Sequence, residues 1–309
     1  MKSIGGYFGL TCGDNPLYYN DGIYLNSCRN ALRYLIRTLG IQKIHIPVFT
    51  CEVIKKAILS ENCKVLSYNI DENFFPLQDI PKSDFILYNN YFGLTEDKVK
   101  IVATIFPNLI VDNAQAFYSH VTGRASIYSL RKFFGVPDGG ILRGKDIPKL
   151  NLEKSTSYEV VSHLLIRRDL GAEAGYSSFI KDEEIISHYP VLQISSLTLS
   201  LLGNIDYKKV RQRRIENFLQ LKENLISLFP YSKNEEFVPL VFPLFIEDGN
   251  SLRNKLISNK VFCARYWPNV LDDKNSSSFE KNLAKNIISI PLDQRYGKKE
   301  MEYILELIQ

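Results

Sequence analysis

A chain of 309 residues, 45% hydrophobic and 23% charged, has the composition of a soluble protein large enough for two units. Its formal charge of +4 is dispersed along the chain, which argues against a nucleic-acid partner. No apolar run approaches the roughly 20 residues that span a bilayer, so no membrane partner is expected either. The start MKSIGGYFGL lacks a basic stretch followed by a long apolar one, so no signal peptide is expected. Five cysteines, an odd number, show neither a CxxC pair nor zinc spacing, and the four histidines show no ligand spacing. The reading is a cytoplasmic protein with reduced thiols and no metal.

GIYL is a short strand-like run. From Asn30, apolar residues fall at Ala31, Leu32, Leu35, Ile36 and Leu39, and Gly40 ends the run, which predicts a helix. KIHIPVF reads as a buried strand, CEVIKKAILSENC as a helix and KVLSYNI as a strand. FILYNNYFG, NLIVDNA and ASIYSL are further strands. Strands alternating with helices predict an α/β fold: a three-layer α/β/α arrangement around a mostly parallel sheet. Ligands of such sheets sit beyond the carboxyl ends of the strands. A single long helical pattern begins near Ser195 and continues through DYKKVRQRRIENFLQLKENLISLF. The C-terminal part mixes strands (FVPLVFPLFI, NIISIPL) with helices (SLRNKLIS, KKEMEYILELI), as a small α+β domain does. The boundary is placed near Gly203, giving a large domain over 1–203, then a linker helix and small domain over 204–309.

Three strand or helix ends carry chemistry. In YSLRKFFGVPDGG, Lys132 follows a strand end beside apolar residues. Burial disfavours an ammonium and is expected to lower its pKa, and a neutral amine attacks carbonyls to form a Schiff base. A solvated surface lysine is the commoner case. In NLIVDNAQAF, Asp112 follows three apolar residues and Gln115 lies three positions on. A carboxylate there can keep a ring nitrogen protonated, and Gln115 can bond a neighbouring ring oxygen. The alternative is that Asp112 only starts a turn or caps a helix. In LNSCRNAL, Ser27, Cys28 and Arg29 stand at a helix start, where free N–H groups and the dipole favour phosphate; a plain N-cap is the alternative. An amine, a carboxylate and a helix start together describe a site for a phosphorylated pyridine aldehyde, as pyridoxal phosphate enzymes hold their cofactor.

Here the sequence resembles the DegT/DnrJ/StrS-type nucleotide-sugar aminotransferases, within the fold-type I pyridoxal phosphate enzymes. LNSCRNALRYLIRTLGI resembles that family's S-G-T-x-A-L phosphate helix, IPVFTCEVIKKAI its P-x-x-T strand and helix, and NNYFG its H-x-x-G strand end. VDNAQA and SLRKFFGVPDGG resemble its E-D-x-A-Q/H and lysine segments, and Arg213 to Asn217 and SIPLDQRYGKKEM fit as well. The resemblance implies that Lys132 forms the Schiff base with pyridoxal 5'-phosphate and shuttles the proton, and that Asp112 holds the pyridine nitrogen protonated. It implies that Gln115 contacts the phenolic oxygen or the substrate, and that Ser27, Cys28, Arg29 and Ser129 hold the phosphate. It further implies a homodimer that moves an amino group, from glutamate, to a nucleotide-linked keto sugar for surface polysaccharide or related glycosides.

The sequence departs from that pattern. Cys28 stands where glycine is usual, and Cys51 where an aromatic residue stacks on the ring, leaving Phe49 or Tyr91 to replace it. Ile127 stands where a serine is usual, leaving Ser129 or Ser126 for that role. Tyr91, in NNYFG, and Trp267, in CARYWPNVL, are candidate substrate residues, although Tyr266 and Trp267 equally suit a domain core. Two alternatives stay open: another pyridoxal phosphate reaction such as sugar dehydration, against which Lys132 speaks, and a non-catalytic member of the family.

Overall fold

The computed structural model describes residue 4 and residues 6–229 and 237–309. Its first half folds as the alternating pattern demands. Helix α1 (Cys28–Leu39) begins where the Ser27 hydroxyl accepts the N–H of Asn30 and stops at Gly40, whose φ of 61° only glycine adopts without cost. Its apolar face, Ala31, Leu32, Leu35 and Ile36, is buried against the sheet.

The sheet has seven strands: β1 (Ile23–Leu25), β2 (Lys43–Pro47), β3 (Lys64–Tyr68), β4 (Phe85–Asn89), β5 (Leu109–Asn113), β6 (Ala125–Ser129) and β7 (Gly140–Gly144). Their order is β1-β7-β6-β5-β4-β2-β3. The pairs β2 with β3, β2 with β4, β4 with β5 and β5 with β6 are parallel. Both pairs involving β7 are antiparallel, so the sheet is mixed and mostly parallel. Helix α2 (Glu52–Leu59) connects β2 to β3, and α3 (Glu96–Ile105) connects β4 to β5. Helices and loops cover the two faces with separate apolar clusters, one around Leu32, Leu35, Ile44 and Ile110, the other around Phe49, Tyr88, Val111 and Phe117. This is the three-layer α/β/α architecture, and it brings the carboxyl ends of β2, β4, β5 and β6 to one edge.

The chain after β7 departs from its sequence pattern in two places. Helices α4 (Ser162–Leu170) and α5 (Ala172–Ser187) form a hairpin that apolar spacing does not announce, because Leu165, Leu170, Tyr176 and Ile180 are exposed. The long helix expected from Ser195 is two helices, α6 (Ser196–Leu202) and α7 (Tyr207–Lys222). Two features mark the break. Gly203 lies against the carbonyl of Gly13, where a Cβ would stand 2.1 Å from the oxygen, and the Asp206 carboxylate then caps a new helix by accepting the N–H of Lys209.

Beyond α7, strands β8 (Val241–Phe245) and β9 (Ile287–Pro291) pair antiparallel. Helices α8 (Gly249–Ser258), α9 (Asn269–Asp272), α10 (Ser278–Asn286) and α11 (Lys298–Ile308) surround them. Phe218 and Leu221 of α7 share an apolar cluster with Phe242, Leu256, Ile288 and Met301. No helix among the described residues is long and apolar enough to cross a membrane.

Candidate active site

Strand β5 reads LIVDN, and its three apolar residues are buried in the sheet while Asp112 emerges at the carboxyl end. Asp112 lies between Asn89 of β4 and Ile127 of β6. Its Oδ1 accepts the N–H of Ala114 at 2.8 Å, a local bond that turns the chain out of the strand. Burial raises its pKa above the ordinary value, and the nearby Lys132 offsets this only in part. Gln115 is buried, and its Oε1 accepts the N–H of Phe92 at 2.8 Å. A backbone N–H can only donate, so this bond fixes which end of the amide is oxygen. The Nε2 end is left buried and, among the described residues, without a partner.

Lys132 follows β6 in the turn that leads to Gly139 and Gly140. It is exposed by surface area but stands in a concavity, its ammonium 5.6 Å from the ring centre of Tyr266. The expected lowering of its pKa is not found. Burial does lower it, but Tyr266, Cys51, Asp112 and Cys28 raise it by more, and the amine lies above its ordinary value. In the ligand-free chain Lys132 is therefore a cation. The apolar neighbours seen in the sequence gave only the desolvation half of this balance.

Lys132, Asp112 and Gln115 face one cleft, together with Thr50, Cys51, Asn90 and Trp267. The amine and the carboxylate thus meet in a single cavity. Its free volume is about 20 Å³, close to the space of one water, so a pyridine ring enters only if side chains such as the exposed Lys132 swing aside. Cys51 sits at the start of α2 without a capping bond from its thiol. Trp267 is held at φ 55°, a strained conformation for a bulky residue, immediately before Pro268.

The start of α1, the end of β6 and the start of β7 meet beside this cleft. Ser129 is opposite Gly140 in the sheet, and a Cβ at Gly140 would stand 2.3 Å from the backbone nitrogen of Cys28. Ser27, Cys28 and Ser129 are therefore brought together. The Ser27 hydroxyl is spent on capping the helix, so Ser27 behaves as an N-cap. No acidic residue occupies the first turn of α1. Burial raises the Cys28 thiol well above its ordinary pKa, so it is uncharged. The Arg29 guanidinium donates to the Ile186 carbonyl of α5 at 3.2 Å. Arg131, which the sequence reading passed over, pairs with Glu183 of α5 while its Nε is buried without a partner among the described residues. Ser126 is not near this meeting point: its hydroxyl bonds the backbone of Thr122.

Tyr91 does not face the cleft as the sequence suggested. It is fully buried, its hydroxyl donates to the Phe49 carbonyl, and its ring packs edge-on to Phe74 and Trp267. Phe49 is likewise core, 4.6 Å from Trp267. Neither is placed to stack on a ring in the cleft. Trp267, a candidate substrate residue by sequence, does line the cleft, and Tyr266 stands beside the Lys132 ammonium.

The donor set suits pyridoxal phosphate. Gln115 offers an unpaired buried N–H for a phenolic oxygen, Asp112 a carboxylate for a ring nitrogen, Lys132 an amine for an aldehyde, and α1 a helix start for a phosphate.

No protein-family model and no curated protein sequence matches the chain. Solved structures do match. The aminotransferase TlmJ from Streptoalloteichus hindustanus superposes with a TM-score of 0.67 at 13% identity, covering 93% of this chain and 84% of its own. The PLP form of Spr1654, a sugar aminotransferase by its description, from Streptococcus pneumoniae gives 0.65 at 15% identity, covering 92% and 85%. A DegT DnrJ EryC1 StrS aminotransferase from Brucella abortus gives 0.59 at 12%, covering 93% and 84%. At these identities the likeness establishes the fold, which is that of these aminotransferases.

Proposed function

We propose that the chain is a pyridoxal phosphate-dependent aminotransferase that passes an amino group, from a donor such as glutamate, to a keto sugar. The observation that carries this reading is the convergence of Lys132, Asp112 and Gln115 on one cleft, with the Gln115 amide nitrogen buried and, among the described residues, unpaired. The fold shared with sugar aminotransferases supports it. The bound cofactor supplies an electron sink that stabilises negative charge on the substrate carbon. Asp112 holds a proton on the ring nitrogen and so strengthens that sink. Gln115 would donate its unpaired amide N–H to the ring oxygen and so help hold the ring. Lys132 would anchor the aldehyde, and its amine is the group placed to move a proton at the substrate carbon. Ser129 and the start of α1 orient the phosphate. A nucleotide on the sugar, a homodimeric assembly, a cytoplasmic setting and a place in surface polysaccharide synthesis belong to the same reading.

An absorbance spectrum of the purified protein tests it. Pyridoxal phosphate is expected to give the absorbance of a lysine Schiff base, and glutamate to convert it to the amine form. A protein that stays colourless overturns the cofactor assignment and favours the non-catalytic alternative. A Schiff base unchanged by any amino donor overturns transamination.

A further inference from the structure

Gly139 and Gly140 stand between the two halves of the candidate site. The Gly139 carbonyl accepts the N–H of Leu130, two residues before Lys132, at 3.2 Å. Its own N–H donates to the carbonyl of Asn26 at 2.9 Å, next to the Ser27 that caps α1. Gly139 is held at φ 122°, a conformation that favours glycine, and neither glycine has a side chain with which to grip its surroundings. The residue before them does. Asp138 is fully buried, and its Oδ2 accepts the Ser195 N–H at 3.1 Å. Its Oδ1 accepts the Ser195 hydroxyl at 2.8 Å and the Thr198 hydroxyl as well. The Ser157 hydroxyl lies 2.7 Å from that of Ser195; with the Ser195 proton given to Asp138, Ser157 is the donor in this contact.

We infer that Asp138 is a positioning residue: it sets the span between the Lys132 turn and the start of α1, so that one ligand can engage both. The inference rests on the pyridoxal phosphate reading above. Ser195 and Thr198 stand at the start of α6, and Ser157 lies before α4. The carboxylate therefore ties the glycine strip to segments that are not part of the cleft lining. Its partners are neutral groups. Burial pushes its carboxyl above the ordinary value, and the hydrogen bonds from Thr198 and Ser195 offset this only in part. Filling a core in this way costs stability relative to an apolar side chain. What it supplies is direction, because three donors converging on two oxygens fix the orientation of the residue that leads into Gly139. A misplacement of about 1 Å in a positioned group costs up to about 100-fold, so a small drift of the strip is enough to matter.

Three ligands separate this role from a merely structural one. Pyridoxal has the aldehyde for Lys132 but no phosphate, pyridoxine phosphate has the phosphate but no aldehyde, and pyridoxal phosphate has both. Quenching of the single tryptophan, Trp267, which lines the cleft, reports the binding of each. Asp138→Asn turns one accepting oxygen into an NH2 that cannot accept. It is expected to weaken pyridoxal phosphate about tenfold or more, while the other two ligands change by less than about threefold. Thr198→Val removes one hydroxyl and keeps the carboxylate; it is expected to act in the same direction by a smaller factor, and it decides the matter if Asp138→Asn does not fold. Glu280→Gln alters an equally buried carboxylate, one that accepts the Ile70 N–H outside the cleft lining. It is expected to lower Tm and leave all three affinities unchanged. Equal losses for the three ligands, no loss of pyridoxal phosphate affinity in a folded variant, or a like loss in Glu280→Gln overturns the inference. In each of these cases the wild type still binds pyridoxal phosphate and the aminotransferase reading stands, whereas a wild type that binds none overturns both.

Discussion

Replacing Gly140 by alanine probes the joint proposed to seat the cofactor phosphate. The added Cβ would stand 2.3 Å from Cys28 N, 2.3 Å from Ser27 C and 2.4 Å from Ser27 O, where ordinary contacts begin at 3.4 Å. The gap must therefore open by the difference between 3.4 and 2.3, about 1.1 Å. Neither side yields cheaply, since all three atoms are backbone. Gly140 is held in β7 between Leu25 and Ser129, and Ser27 is held by its capping bond. Overpacking of this kind costs about 1–3 kcal/mol, which lowers Tm by roughly 2–10 °C in a domain of this size. The larger effect is on the ligand, because a displacement of about 1 Å in a positioned group costs up to about 100-fold. Titration with pyridoxal phosphate and with pyridoxal, which lacks the phosphate, separates the two. Affinity for the phosphorylated form is expected to fall about 10–100-fold while that for pyridoxal changes less than about threefold. Unchanged Tm and unchanged affinity for pyridoxal phosphate would refute the claim that α1 and β7 form the phosphate seat.

Lys132→Ala is expected to abolish the Schiff-base absorbance and nearly all turnover; surviving activity removes the lysine from the mechanism. Asp112→Asn keeps the oxygen that accepts the Ala114 N–H and is expected to cut turnover by two or more orders of magnitude, each tenfold being about 1.4 kcal/mol of barrier. The same change should leave the ligand-free fold as stable or stabilise it at pH 7. Burial raises the Asp112 pKa above the unfolded 3.8, so ionising it opposes folding increasingly as pH rises through the folded value. A large fall in Tm at pH 7 would mark Asp112 as structural. Glu61 behaves in the opposite way: burial pushes its carboxyl up, but hydrogen bonds from Arg37 and Arg33 bring it below 4.5. Its contribution is present above the unfolded value and lost as pH falls through the folded one, so Glu61→Gln should flatten acid unfolding monitored by circular dichroism.

What the sequence reveals is what short-range patterns encode. Apolar spacing with Gly40 at its end gives α1, and apolar runs that stop at Asp112 and before Lys132 give strand ends, hence a shared edge of the sheet. What it conceals depends on residues far apart in the chain. The packing of Gly203 against Gly13, at the break between α6 and α7, joins residues 190 positions apart. Tyr91 looks like a site residue from its place after β4, yet it turns into the core because Phe74 and Trp267 pack around it. The amine of Lys132 is raised by Tyr266, a residue of the other half of the chain, along with Cys51, Asp112 and Cys28.

Two of the strained backbone positions lie together beside the candidate site. Phe92 at φ 57° and Trp267 at φ 55° are both in the left-handed region, and their rings lie 5.7 Å apart behind the cleft. Such conformations cost about 1–3 kcal/mol each and persist only where the surroundings dictate them. The dictating contacts are the ones that build the site. The strained turn at Phe92 aims its N–H at Gln115 Oε1, which is why Gln115 presents its nitrogen to the cleft. The strained turn at Trp267 carries the chain to Asn269, whose side chain donates to the carbonyl of Thr50, a residue that lines the cleft. Each unfavourable backbone conformation therefore positions a polar group that relaxed local geometry would leave pointing elsewhere. That is the arrangement expected when a fold gives up stability for the placement of a ligand.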